Sequence, residues 1–229
     1  MTFRVKVISP IKIDEADLQR RIVRYGEVAG PDTQIQVCNL DEGPATLDTI
    51  ADMVSSEYNV FREGAKTARG ECDAILIDCV FDVAVDGLRE HTGLPVFGPM
   101  RTTLPLVPLA AGRFSIISRS AKQCEMMADL VRKYGFGDLL ASTRPLGLSY
   151  AEARKPSVFN AAMAHEIGNA IEQDDARAIL MGSTTMAVTN ELLEAAKGTP
   201  LFMPGLFALR IMESMWREGL LHAKSKTIP

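Results

Sequence analysis

The chain has 229 residues, 47% of them hydrophobic and 24% charged, enough for one large domain or two small ones with real cores. Its net charge of −4 and scattered basic residues exclude a nucleic-acid footprint, and every apolar run is too short to span a bilayer. Charges inside the first strand exclude a signal peptide, so the expected compartment is cytoplasmic.

In chain order, residues 4–10 alternate and stop at Pro10, which predicts a strand. Helical spacing follows over 14–28 with Asp14 as its cap, then a strand over 33–40. Residues 41–49 read as a loop feeding a long helix to about residue 69, with Pro44-Ala45-Thr46 at its start. A strand is predicted over 74–80, a helix over 81–91 and a short strand over 94–99. The pattern then restarts: strand 112–118, helix 121–135, a weak strand 139–143, helix 156–172, strand 178–182, helix 187–197, strand 199–204 and a closing helix from 206. Strands alternating with helices predict an α/β fold with parallel sheets covered on both faces.

Three segments recur in the same order. Residues 3–9 resemble 113–118; Ala74-Ile-Leu-Ile-Asp-Cys79 resembles Ala178-Ile-Leu-Met-Gly-Ser183; Leu94-Pro-Val-Phe-Gly-Pro99 resembles Thr199-Pro-Leu-Phe-Met-Pro204. We read an internal duplication giving two pseudo-symmetric, flavodoxin-like lobes, residues 1–100 and 101–205, with the C-terminal helix 206–229 packing back on the first. Ligands of open α/β sheets sit at the carboxyl ends of the strands. A cleft between the lobes would then be approached by Cys79 from one side and Ser183 from the other.

Of the four cysteines, Cys38, Cys72 and Cys124 read as packing residues, and without CxxC or Cys/His spacing all four are expected to be reduced thiols. Cys79 ends an apolar strand just before an expected helix, whose N-terminus lowers a thiol pKa from its ordinary value of about 8.5. Such a thiolate can move a proton on and off carbon. Ser183 is too weak an acid to be a base unaided, but Ser183 and Thr184 can offer hydroxyls and amides to an oxyanion, or simply cap the next helix. Candidate substrate contacts are Ser9, Pro10, Pro44, Ala45, Thr46, Val80, Arg101, Ser118, Arg119 and Thr184, each at or after a strand end. His91, His165 and His222 read as structural, and there is no nucleotide-binding glycine motif. Asp78 directly precedes Cys79; alternation along the strand should point it the other way.

Val7-Ile-Ser-Pro10, Gly43-Pro-Ala-Thr46, Ala74–Cys79, Pro95-Val-Phe-Gly98, Arg113-Phe-Ser-Ile-Ile117 and Ala178-Ile-Leu-Met-Gly182 resemble the aspartate/glutamate/hydantoin racemase superfamily, above all its hydantoin and allantoin racemase branch. The resemblance implies two lobes, no cofactor, no metal, a small-molecule substrate and homo-oligomers. It also implies one cysteine per lobe: one removes the proton alpha to a carbonyl, the other returns a proton to the opposite face. Here the second cysteine is Ser183, and the family's Asn-Pro-Asn is Ser9-Pro-Ile11. Three functions follow: a racemase or epimerase using Cys79 and a hydroxyl or water at Ser183; a single-cysteine decarboxylase or isomerase working through an enediolate-like intermediate; or a non-catalytic small-molecule binder.

Overall fold

The computed structural model describes residues 2–68 and 70–221. The chain divides into two units, 1–99 with 205–229, and 100–204.

The first unit begins with β1 (Phe3–Ile8), α1 (Glu15–Val28), β2 (Thr33–Cys38), α2 (Ile50–Ala65), β3 (Ala74–Ile77), α3 (Val85–Thr92) and β4 (Val96–Phe97). All pairings are parallel, in the order β2-β1-β3-β4. β3 is apolar at every position because both of its faces are covered. Its alternate residues supply two cores. Ile75 and Ile77 pack with Val60 of α2 and Leu88 of α3. Ala74 and Leu76 pack with Phe3, Val5, Val7 and Tyr25.

Local chemistry sets the helix starts. Asp14 caps α1 by accepting from the Asp17 N–H at 2.7 Å. Thr49 and Asp52 form a capping box at α2, so this helix starts at Ile50 and Pro44-Ala45-Thr46 lie in the loop before it, not at a helix start. α3 also begins later than the expected residue 81: Asp82 and Ala84 take left-handed φ of 53° and 60°, and no helix runs through such positions. The end expected for α2, Arg69, lies outside the described residues.

The second unit holds α4 (Pro99–Thr103), which opens at the unit boundary, a 3-10 turn over Leu104–Leu106, α5 (Val107–Ala110), β5 (Phe114–Ser118), α6 (Ala121–Lys133), β6 (Leu140–Pro145), α7 (Tyr150–Ala153), α8 (Pro156–Asp174), β7 (Ile179–Met181), α9 (Asn190–Ala196) and β8 (Leu201–Phe202). Its parallel order, β6-β5-β7-β8, repeats that of the first sheet strand for strand. Ile179 and Met181 pack on Phe159, Met163 and Ile167 of α8. α9 starts at Asn190 under a Thr189 cap, so Ser183 and Thr184 do not cap it. The short helices α4, α5 and α7 have too little periodicity to be read from sequence.

α10 (Pro204–Arg217) belongs to the first unit, where Ala208, Leu209 and Met212 are wholly buried against Phe3, Val5 and Val7. No helix among the described residues is long and apolar enough to cross a membrane.

Candidate active site

In the first unit the carboxyl ends of two neighbouring strands carry the candidate residues. Ile8 of β1 lies opposite Ile77 of β3, so Ser9-Pro10 and Asp78-Cys79 leave the sheet side by side. The Asp78 N–H donates to the Ile8 carbonyl at 2.9 Å, which extends the ladder by one rung. Cys79 then donates its N–H to Ile77 at 2.8 Å, and Asp82 donates to the Cys79 carbonyl at 3.1 Å. The chain thus turns tightly around the thiol before α3 begins.

Cys79 is buried, with Ile77, Val83 and Ala84 in the same cluster, and Val80 is buried beside it. Burial pushes its thiol up to about 12; the backbone N–H groups of Phe81 and Val83 oppose this, and the carboxylates of Asp82 and Asp78 add to it. The expected lowering by a helix N-terminus is therefore corrected. The first turn of α3 begins six residues on, and desolvation outweighs the amides. Burial likewise raises Cys72 and Cys124 to about 11, in keeping with a packing role, whereas Cys38 is only half-buried.

Asp78 does turn away. It is buried on the α1 side, where it accepts hydrogen bonds from the Arg21 guanidinium and, at 2.7 Å, from the Tyr25 hydroxyl. Arg21 and Tyr25 escaped the sequence reading; their spacing of four on α1 was the available signal.

The remaining first-unit candidates are spent partly on the lobe itself. Ser9 is fully buried and donates to the Ile11 carbonyl at 2.8 Å. The Pro10 carbonyl accepts from Ser56 at 2.6 Å. In the loop before α2, the Pro44 carbonyl accepts from the Lys12 N–H at 3.0 Å, Ala45 is exposed and Thr46 is half-buried.

The second unit repeats the arrangement. Ile117 of β5 lies opposite Met181 of β7, and the Gly182 N–H donates to the Ile117 carbonyl at 2.8 Å. Ser183 therefore stands two positions beyond its strand partner, as Cys79 does beyond Ile77. Its half-buried hydroxyl lies 3.0 Å from that of Thr185 and accepts from the Thr185 N–H at 3.2 Å. Thr184 is buried. Ser118 is buried and donates to Gln123 at 3.0 Å and to the Gly182 carbonyl at 3.3 Å, tying β5 to β7. Arg119 donates to the Leu148 carbonyl at 3.3 Å with its guanidinium 6.0 Å from the Tyr150 ring centre, and burial lowers its pKa. Arg101 stacks over Tyr134 at 5.1 Å.

His91 stands edge-on to Phe61, and His165 bonds Asn169 at 3.1 Å on an exposed face of α8; His222 lies outside the described residues.

Residues 16–212 match the family described as Asp/Glu/Hydantoin racemase. The chain is 30% identical over 201 residues to a hydantoin racemase of Pseudomonas sp. (strain NS671), covering 87% of this chain and 80% of that protein. Among solved structures, an allantoin racemase from Klebsiella pneumoniae has a TM-score of 0.85 at 22% identity, covering 99% of this chain and 92% of that one. An allantoin racemase from Pseudomonas fluorescens has a TM-score of 0.86 at 21% identity, covering 99% and 95%. At these identities the structural likeness bears on the fold.

Proposed function

The chain belongs to the Asp/Glu/hydantoin racemase family and is an isomerase of it, and from that premise we propose that it inverts the carbon alpha to a carbonyl in a small hydantoin-, amino-acid- or carboxylic-acid-like substrate, without a cofactor. The supporting observation is that Cys79 and Ser183 follow equivalent strands at equivalent register, one per lobe. In this reading Cys79, as the thiolate, removes the alpha proton. A water held by Ser183 returns one to the other face, because the Thr185 hydroxyl bonded to Ser183 is too weak a base to make an alkoxide there. The Phe81 and Val83 amides reduce the cost of the thiolate. Backbone amides near Thr46 and Thr184, with Arg101 and Arg119, are the proposed grip on the carbonyl or carboxylate; Ser9, Pro10 and Ser118 shape the strand ends beneath. The proposed compartment is the cytoplasm, whose reducing conditions suit four free thiols, and the proposed assembly is a homo-oligomer.

A second reading is favoured by the thiol itself. Burial keeps Cys79 protonated at neutral pH, so it carries the one proton that a one-cysteine decarboxylation delivers to the enediolate.

Incubation in heavy water with 5-substituted hydantoins, allantoin and arylmalonates separates the readings. Alpha-deuteration with inversion supports racemisation. Carbon dioxide release with one stereospecific deuterium supports the second reading. Binding of these compounds with no exchange in any would defeat both and leave a non-catalytic binder. In the Cys79→Ala variant exchange should vanish while the fold persists.

A further inference from the structure

We propose that Arg21 and Tyr25 are positioning residues for Cys79: they hold Asp78 on the α1 side of β3 and offset its charge, so that the carboxylate one residue before the thiol is kept off it and its field there is weakened. The inference rests on reading Cys79 as the reacting group.

Three observations carry it. Asp78 is 2% exposed and Arg21 7%, and the two form an ion pair inside the lobe, with the Tyr25 hydroxyl 2.7 Å from the other carboxylate oxygen. A buried carboxylate without such partners is costly, and it would either take up a proton or swing toward other donors. Next, the strand alternates. Ile75, Ile77 and Cys79 share one core, whereas Ala74 and Leu76 face the core that holds Tyr25, so Asp78 and Cys79 lie on opposite sides of a single peptide plane. Finally, the equivalent place in the second lobe is Gly182, where an added Cβ would come within 2.7 Å of the Ile117 carbonyl and 3.0 Å of the Met127 sulfur of α6. The first lobe puts a carboxylate where the second allows no side chain, and it accommodates that group by means of two α1 residues one helical turn apart.

Asp78 is faced by Arg21, Arg24 and Tyr25, all from α1. The carboxylates whose charge acts on Cys79 are Asp82 and, to a lesser degree, Asp78. Arg24 is itself largely desolvated, which lowers its pKa against the opposing pull of Asp78. Removing the Arg21 charge takes away the ion pair and leaves the thiol beside a less compensated carboxylate. At protein-like dielectric one such charge suppresses a nearby thiolate by about tenfold.

The test is the pH profile of Cys79 alkylation by iodoacetamide, read by peptide mass spectrometry so that Cys38, Cys72 and Cys124 are scored separately. Arg21→Gln should shift the profile upward, slowing alkylation about tenfold at any pH below the thiol pKa. In the Asp78→Asn background the same change should have less than a twofold effect. An unchanged profile in folded Arg21→Gln, or equal slowing with and without Asp78, overturns the proposal. If Arg21→Gln does not fold by circular dichroism, Tyr25→Phe decides: slowing of twofold or more that disappears with Asp78→Asn supports it, and an unchanged profile overturns it. Alkylation needs no turnover, so a Cys79 that proves non-catalytic would show in the exchange assay alone.

Discussion

Asp78 and Gly182 hold the same place in two copies of one sheet: each donates its backbone N–H to a carbonyl near the carboxyl end of the neighbouring strand, Ile8 at 2.9 Å and Ile117 at 2.8 Å. The copies then part, a carboxylate anchored to α1 in one lobe and a bare backbone in the other.

Gly182 therefore should not tolerate even alanine. The added methyl would lie 2.7 Å from both the Ile117 carbonyl and the Ser118 Cβ, and neither can move without disturbing β5. Gly182→Ala is expected to cost about 1–3 kcal/mol, measured by chemical denaturation. Gly26→Ala, on α1 with nothing within 4 Å of the new methyl, should be neutral or slightly stabilising and serves as the control.

Gly98 has the corresponding role near the thiol. A Cβ there would overlap the Asp82 carboxyl group, which sits in the strained turn after Cys79. Gly98→Ala should shift that turn and with it the Phe81 and Val83 amides. Turnover should fall at least tenfold while the thermal midpoint drops only a few degrees. Full activity in this variant would show that the turn is not part of the thiol's setting.

Stability should decline in alkali through Cys79. Its folded pKa, about 12, lies above the unfolded value of about 8.5, so the folded state holds the proton longer. This contribution is complete below pH 8.5 and is lost as pH rises toward 12. Cys79→Ala should flatten the fall in unfolding free energy between pH 8.5 and 10.5 by about 1.4 kcal/mol per pH unit relative to wild type. Parallel curves would mean that the thiol is solvated.

Exchange catalysed by the thiolate should rise about tenfold per pH unit from pH 7 to 10, since the reactive form is the minor one. Ser183→Cys should add or accelerate inversion by giving the second lobe a better acid and base. Ser183→Ala should lose inversion more than exchange, because only the second face is served from there. Equal rates in all three proteins would remove Ser183 from the chemistry.

The strands were readable because β3 and β7 are unbroken apolar runs between polar stretches, a pattern that a doubly covered parallel strand produces by itself. The shared strand order likewise followed from three matching segments. Helix starts were less readable. Val85 and Asn190 each come later than periodicity suggested, since capping by Thr189 and the left-handed Asp82 and Ala84 are local events that hydrophobic spacing does not register. The ion pair of Arg21 with Asp78 joins residues 57 apart, and it exists only once α1 has packed on β3. The thiol's environment was misread for the same reason: a loop stands where a helix terminus was expected.

The first unit is assembled from both ends of the chain, with α10 closing over Phe3, Val5 and Val7. A ribosome delivers residues 100–204 before α10 has emerged, so the later-encoded lobe is the earlier to be complete. The lobe bearing Cys79 waits, its β1 face bare, for α10 to be translated. A nascent chain stalled near residue 205 should be the form most in need of a chaperone.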